Sequence, residues 1–285
     1  LLRRAGRKPH RNRGGAFHLR SVECLPAVGW TMGVRGDGGS DPVTLSADYL
    51  QSVRHGEDPE AILAQIRELD PGRLAGLSDA AKTAFWINLY NANVQDRLAA
   101  DPDAFASRWR FFRADAIDVA GRSLSLDDIE HGLLRRSRFK VGLGYIPNPF
   151  VGGFKRRLRV STVDHRIHFA LNCGAASCPP IAFYTADDLD DQLRIATAGY
   201  LESTVEFDEE RGIVRVPRLM LWYRGDFGGK RGILELLRDH ELLPKTASPG
   251  LKHRPYDWSL SLGDFRDRSS PEADPTPRHQ VDDGR

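Results

Sequence analysis

RIHFALNCGAASCPP, residues 166–180, is the stretch on which the reading of this chain turns. Its first six residues, RIHFAL, form a short apolar-rich run, and the Gly and paired prolines that follow end regular structure. The run predicts a short buried strand over 166–171. Side chains alternate along a strand, so Arg166, His168 and Ala170 would share one face, with Ile167, Phe169 and Leu171 on the other. His168 then projects away from the most apolar face. Cys173 falls just past the strand end, beside Gly174, where a tight turn can expose a thiol.

A thiol nucleophile needs a base within roughly 3 Å, usually histidine, and donors for the developing oxyanion. Cys173 is the candidate nucleophile, with His168 or His131 as its base. The imidazole should draw the thiol below its free pKa of about 8.5. Cys178, ahead of two prolines, reads as a buried structural cysteine. The cysteines with His165 or His168 could make a metal site, but the four-residue gap is a weak zinc signature without a second cysteine pair. Nor is it the thioredoxin-type redox spacing, so no metal or cofactor is expected. An Asn/His/Cys-lined cleft could equally hold a ligand without catalysis. Two functions therefore stand side by side. One is a thiol-dependent acyl transferase or amide hydrolase acting on a peptide or small-molecule acyl substrate. The other is a noncatalytic ligand- or protein-binding domain.

On the N-terminal side, helical patterning begins at Leu45 and resumes after Pro59, and Pro71-Gly72 is expected to stop it. Ser78 is a good N-cap for a helix over 79–98. Asn88, Asn91 and Gln95 lie along one face of it, placed either to hold a substrate carbonyl or to serve a hydrogen-bonding network. Residues 115–125 read as a hairpin. Ser125 then caps a short helix carrying Glu130 and His131. The Gly/Pro/Asn-rich stretch 141–153 is long enough for a substrate-facing lid. On the C-terminal side, a helix is expected over 186–202, a hairpin over 205–216, and helices over 219–223 and 232–240. The fold class is α+β, mainly helical with short antiparallel strands, in one domain spanning 45–262.

The 285 residues carry 41 basic and 39 acidic side chains, with 40% hydrophobic content. Eight basic and two acidic residues lie in positions 1–40, which leaves the remainder at a net charge of −4. The basic excess therefore belongs to the N-terminal region, and a nucleic-acid partner is not expected. Residues 1–44 read as a disordered or misassigned N-terminal region and 263–285 as a disordered tail. The stretch 24–34 is broken by Pro26, Gly29 and Gly33, which argues against a secretory signal and for a cytoplasmic location. No apolar run approaches the roughly 18 residues of a transmembrane span.

FWINLYNA (85–92), SLDDIEHGLLR (125–135), RIHFALNCGAASCPPI (166–181), FYTADDLDDQL (183–193) and LMLWYRGDFG (219–228) resemble the successive signature blocks of the DUF547 family. The resemblance covers residues 45–262. It highlights Asn88, Asn91, Glu130, His131, His168, Cys173, Gly174 and Asp226, and it implies no settled activity. It favours Cys173 over Cys178, because related plant sequences often have serine at the latter position. It also implies a distant relation to papain/transglutaminase-like cysteine enzymes. The chain departs from their order, since both candidate histidines precede Cys173.

Overall fold

The computed structural model describes residues 40–266. The expectations for residues 1–39 and 267–285 lie outside the described residues. Helices α1 (Pro42–His55), α2 (Glu60–Arg67), α3 (Pro71–Gly76) and α4 (Asp79–Ala100) lead into α5 (Arg108–Arg113) and the hairpin of β1 (Asp115–Val119) and β2 (Arg122–Ser125). A π-helical segment (Asp128–Leu134), α6 (Gly153–Leu158) and a 3-10 turn (His165–Phe169) follow. Then come α7 (Leu189–Thr204), β3 (Glu206–Asp208), β4 (Ile213–Val216), α8 (Leu219–Trp222), α9 (Gly229–Asp239) and β5 (Gly250–His253).

Helix α4 organises the larger core. The Ser78 hydroxyl caps it by accepting the Ala81 N–H at 3.1 Å. Residues 83–95 are all buried, so this helix is enclosed on every side rather than half-wet. Helix α1 packs along it, and the Tyr49 hydroxyl donates to Asp96 across that contact at 2.8 Å. A second cluster gathers Tyr200, Leu201, Val214, Val216, Met220, Ile233 and Leu237 from α7, β4, α8 and α9. Phe169 belongs to this second cluster, whereas its neighbours Ile167 and Ala170 belong to the first. The stretch 165–173 thus runs along the seam between the two cores.

Three local expectations are corrected. Pro71 does not stop a helix: Asp70 accepts the N–H groups of Gly72 and Arg73, and Pro71 opens α3 as its first residue. Strand β5 pairs parallel with β4, so the sheet β3–β4–β5 is mixed rather than purely antiparallel. The third correction matters most. Residues 166–171 are not a strand. Asp164 accepts the Arg166 N–H at 2.9 Å, and the N–H groups of Ile167 and Ala170 turn back to Asp164 and Ile167 carbonyls. With the backbone satisfied locally, no partner strand is needed. The alternating-face argument for His168 falls with the strand. A three-residue repeat replaces it and sets His165 and His168 both against Phe227. The α+β class stands, carried by the helices and by the two small sheets.

The turn that ends this stretch depends on Gly174, whose φ is +86°. A Cβ there would lie 2.7 Å from Leu98 Cδ1 in the core. Gly174→Ala combines left-handed strain with overpacking and is expected to cost about 2 kcal/mol. Chemical denaturation of the two proteins gives that difference directly; an unchanged midpoint would show that the turn is not confined.

Candidate functional site

The amides of α4 act on backbone. Asn88 donates to the Tyr184 carbonyl at 2.8 Å and accepts the Tyr184 N–H at 3.0 Å. Asn91 donates to the Ala170 carbonyl at 2.9 Å and accepts the Asn172 N–H at 2.8 Å. Gln95 donates to Asn172 Oδ1 and accepts the Gly263 N–H. Asn172 completes the clamp, since its Oδ1 takes the Gly174 N–H and its amide donates to Pro179. Asn88 and Asn91 are fully buried, and both ends of each amide are occupied. They hold the 170–184 segment in place and do not line the cleft described next, so a direct role on substrate is not where the structure puts them.

That cleft has a volume of about 480 Å³ and a mostly apolar wall. Cys173, Glu130, His131 and His168 all line it, although they come from two separate segments. Val141 and Leu143 close one side, so the stretch expected as a lid does meet the cleft. The rest of the wall is largely aromatic. Trp222, Tyr256 and Trp258 pack together with ring centres 4.6–5.6 Å apart, and Tyr223 stacks on His168 at 3.9 Å. Sequence reasoning did not assign this wall. Trp222 and Tyr223 stood inside a quoted block, whereas Tyr256 and Trp258 lie in a stretch with no periodicity.

Beneath the cleft lies a buried charged network. Asp226 accepts from Arg135 Nε at 2.6 Å and from His168 Nε2 at 2.9 Å. Burial opposes its charge, but the bonds from His168 and Arg135 outweigh that and bring its pKa down to about 2. Burial pushes the His168 pKa down, against the pull of Asp226. An ionised carboxylate can only accept, so a neutral His168 must carry its proton on Nε2. Its Nδ1 is left with the lone pair.

His131 is the opposite tautomer case. Its Nδ1 lies 3.0 Å from Arg135 Nη1, which can only donate. Burial, reinforced by Arg135, lowers the His131 pKa although Glu130 opposes. Glu130 Oε1 also lies 3.4 Å from Nδ1, but Arg135 is the nearer group at 3.0 Å. That favours a neutral ring that accepts at Nδ1 and carries its proton on Nε2, 3.7 Å from Asp127. That Nε2–H has no hydrogen-bond partner among the described residues, and neither does Glu130 Oε1. Burial alone would raise the Glu130 pKa, but His131 and Arg135 hold it below the usual range. Glu130 is hydrogen-bonded to Tyr223, so what the two residues leave without a hydrogen bond is one donor, His131 Nε2, and one carboxylate oxygen, Glu130 Oε1.

The thiols make a pair of their own. Cys173 is partly buried and Cys178 buried, with their sulfurs 2.7 Å apart. The Cys173 N–H and the Tyr256 hydroxyl both reach Cys178 Sγ, at 3.0 and 3.2 Å. The hydrogen bond to Cys178, together with burial, pushes the Cys173 thiol up. Burial opposes charge on Cys178, but the bonds from Cys173, Tyr256 and backbone bring its pKa down. The expected lowering of the Cys173 pKa by an imidazole is therefore not found. Access points to Cys173, which lines the cleft, and charge points to Cys178. Among the described residues no group of His, Cys, Asp and Glu is arranged to hold a metal ion.

Residues 74–201 match the family model described as "Protein of unknown function, DUF547". This segment belongs to that family. The DUF547 span contains Glu130, His131, His168 and both cysteines, whereas Asp226, Tyr223, Tyr256 and Trp258 lie beyond it. The DUF547 match therefore supplies most of the cleft lining, and later residues supply much of its aromatic wall. No curated protein and no solved structure matches the chain. No helix among the described residues is long and apolar enough to cross a membrane.

Asp226→Asn would leave the fully buried Arg135 without its counter-charge, at an expected cost of about 3–5 kcal/mol. The pH dependence follows from the sign of the shift. Asp226 has a folded pKa of about 2, below the roughly 3.9 of an unfolded aspartate. Its stabilisation is complete above the unfolded value and fades as pH falls from about 4 towards 2. Unfolding curves across that window should show the gap between wild type and variant narrowing with acid. A constant gap would place the charge elsewhere.

Proposed function

We propose that this protein is a thiol-dependent acyl transferase or amide hydrolase with Cys173 as nucleophile and His168 as base. The observation that carries the proposal is the His168 tautomer. Asp226 fixes the proton on Nε2 and leaves a basic Nδ1 on a ring that shares the cleft with Cys173. His131 is the weaker base, because Arg135 already occupies its lone pair. Its Nε2–H suits a developing oxyanion, and Glu130 suits an N–H of the substrate.

In the reaction, His168 Nδ1 takes the Cys173 proton as sulfur bonds to the acyl carbon. The bond to the leaving amine breaks, and that amine takes the proton from His168. Water or an acceptor amine, deprotonated by His168, then attacks the thioester and releases the thiol, which recovers its proton from His168. The aromatic wall favours an acyl group with an apolar body. A raised Cys173 pKa is compatible with this scheme, since the base acts during attack rather than in the resting state.

A second reading is a noncatalytic binding domain. It is favoured by one observation: the Cys173 thiol bonds to Cys178 and Tyr256 rather than to an imidazole. Mapping the residue labelled by a panel of acyl-donor probes separates the two. The enzyme reading expects the acyl group on Cys173 and not on Cys178. It expects the labelling rate to fall about 10²-fold or more in His168→Ala and much less in His131→Ala. Labelling of neither cysteine, or equal labelling in all three proteins, would favour the binding domain.

A further inference from the structure

Residues 131–163 contain eight Lys or Arg side chains and no Asp or Glu. The same stretch holds Val141, Leu143, Tyr145, Ile146 and Phe150, which are five of the eight large hydrophobic side chains exposed among the described residues. Phe150 is 87% exposed and Val141 75%. An isolated exposed apolar residue needs no explanation, but five within ten positions do.

The two features meet around Phe150 and Val151. Phe139 donates to the Ile146 carbonyl, Asn148 to that of Ser137, and Arg156 to that of Val151, which ties the apolar loop to α6. Arg113, Arg138, Lys140, Phe150, Val151 and Lys155 line one shallow depression. Asp127 and Asp128 also lie there, but they are paired with Lys140 and Lys155 at 2.8 and 2.5 Å. Arg136, Arg156 and Arg157 are exposed and have no ion pair among the described residues.

We propose that this loop and α6 form a docking surface for an anionic lipid bilayer. The exposed apolar side chains are clustered within one loop, as is suited to entering the headgroup boundary. The unpaired arginines beside them complement anionic headgroups. Val141 and Leu143 belong both to this surface and to the wall of the cleft, so docking would set the cleft mouth at the bilayer. The surface does not depend on the thiol chemistry proposed above.

The test is co-sedimentation of the full chain with phosphatidylcholine vesicles, with and without phosphatidylserine. Wild type should bind only the phosphatidylserine vesicles and should be released by salt. Arg156→Glu/Arg157→Glu should weaken binding about 25-fold or more, taking about fivefold per arginine near an anionic surface. Ile146→Ser/Phe150→Ser should weaken it about tenfold or more. Both variants should keep the wild-type melting temperature, since every altered side chain is exposed. Wild type failing to bind would overturn the proposal. So would variants that bind as wild type does, which would assign binding to the basic residues in 1–40. Preference for soluble polyglutamate over the vesicles would overturn it as well, in favour of an acidic polypeptide partner.

Discussion

The buried ion pair between Arg135 and Asp226 is the interaction around which the rest of the site is arranged. Neither side chain is exposed, and the two come from segments far apart in sequence. Burying two charges costs several kcal/mol per ion, and attraction repays it only when the remaining hydrogen-bonding capacity is also met. Here it is met: Asp226 takes His168 as well as Arg135, and Arg135 donates to His131 and lies over the Tyr223 ring at 4.6 Å. The pair thereby joins the π-helical segment, the 3-10 turn and the loop between α8 and α9. Those are the elements that meet where the two hydrophobic clusters adjoin.

Two chemical consequences follow from the same pair. An acceptor-only carboxylate fixes the His168 proton on Nε2, and a donor-only guanidinium fixes the His131 lone pair towards Nδ1. The two rings are then unequal, His168 keeping its lone pair on Nδ1 and His131 its proton on Nε2, although both are buried and both line the cleft. Glu130 adds a buried negative charge without a complete set of partners. A polar floor of this kind under an aromatic wall suits a ligand with an apolar body and one amide or ester group.

Much of this was legible in the sequence. Helix α4 was legible because caps, aromatics and amide spacing all agreed, and the 115–125 hairpin because alternation flanked an Ala-Gly turn. Cys173, His131, His168 and Glu130 were each singled out, and they do line one cleft. What failed was the step from a short apolar run to a strand at 166–171. Six residues cannot separate a period of two from a period of three, and the deciding Asp164 cap lies outside the run. The functions of Asn88 and Asn91 were open because an amide's spacing does not say whether it meets backbone or ligand. Arg135 was hidden by its type, since a wholly buried arginine is rare. Strand β5 was missed because its pairing with β4 is a contact between segments some thirty-seven positions apart.

The central claim is that Asp226 holds His168 as the neutral Nε2–H tautomer, which leaves Nδ1 as the basic nitrogen of the ring. Ring-nitrogen NMR of the ¹⁵N-histidine-labelled protein at neutral pH tests it most directly. The account predicts that His168, assigned by its loss in His168→Ala, shows a protonated Nε2 and an unprotonated Nδ1, and that Asp226→Asn disturbs this pattern. A His168 ring protonated on both nitrogens, or carrying its proton on Nδ1, would contradict it.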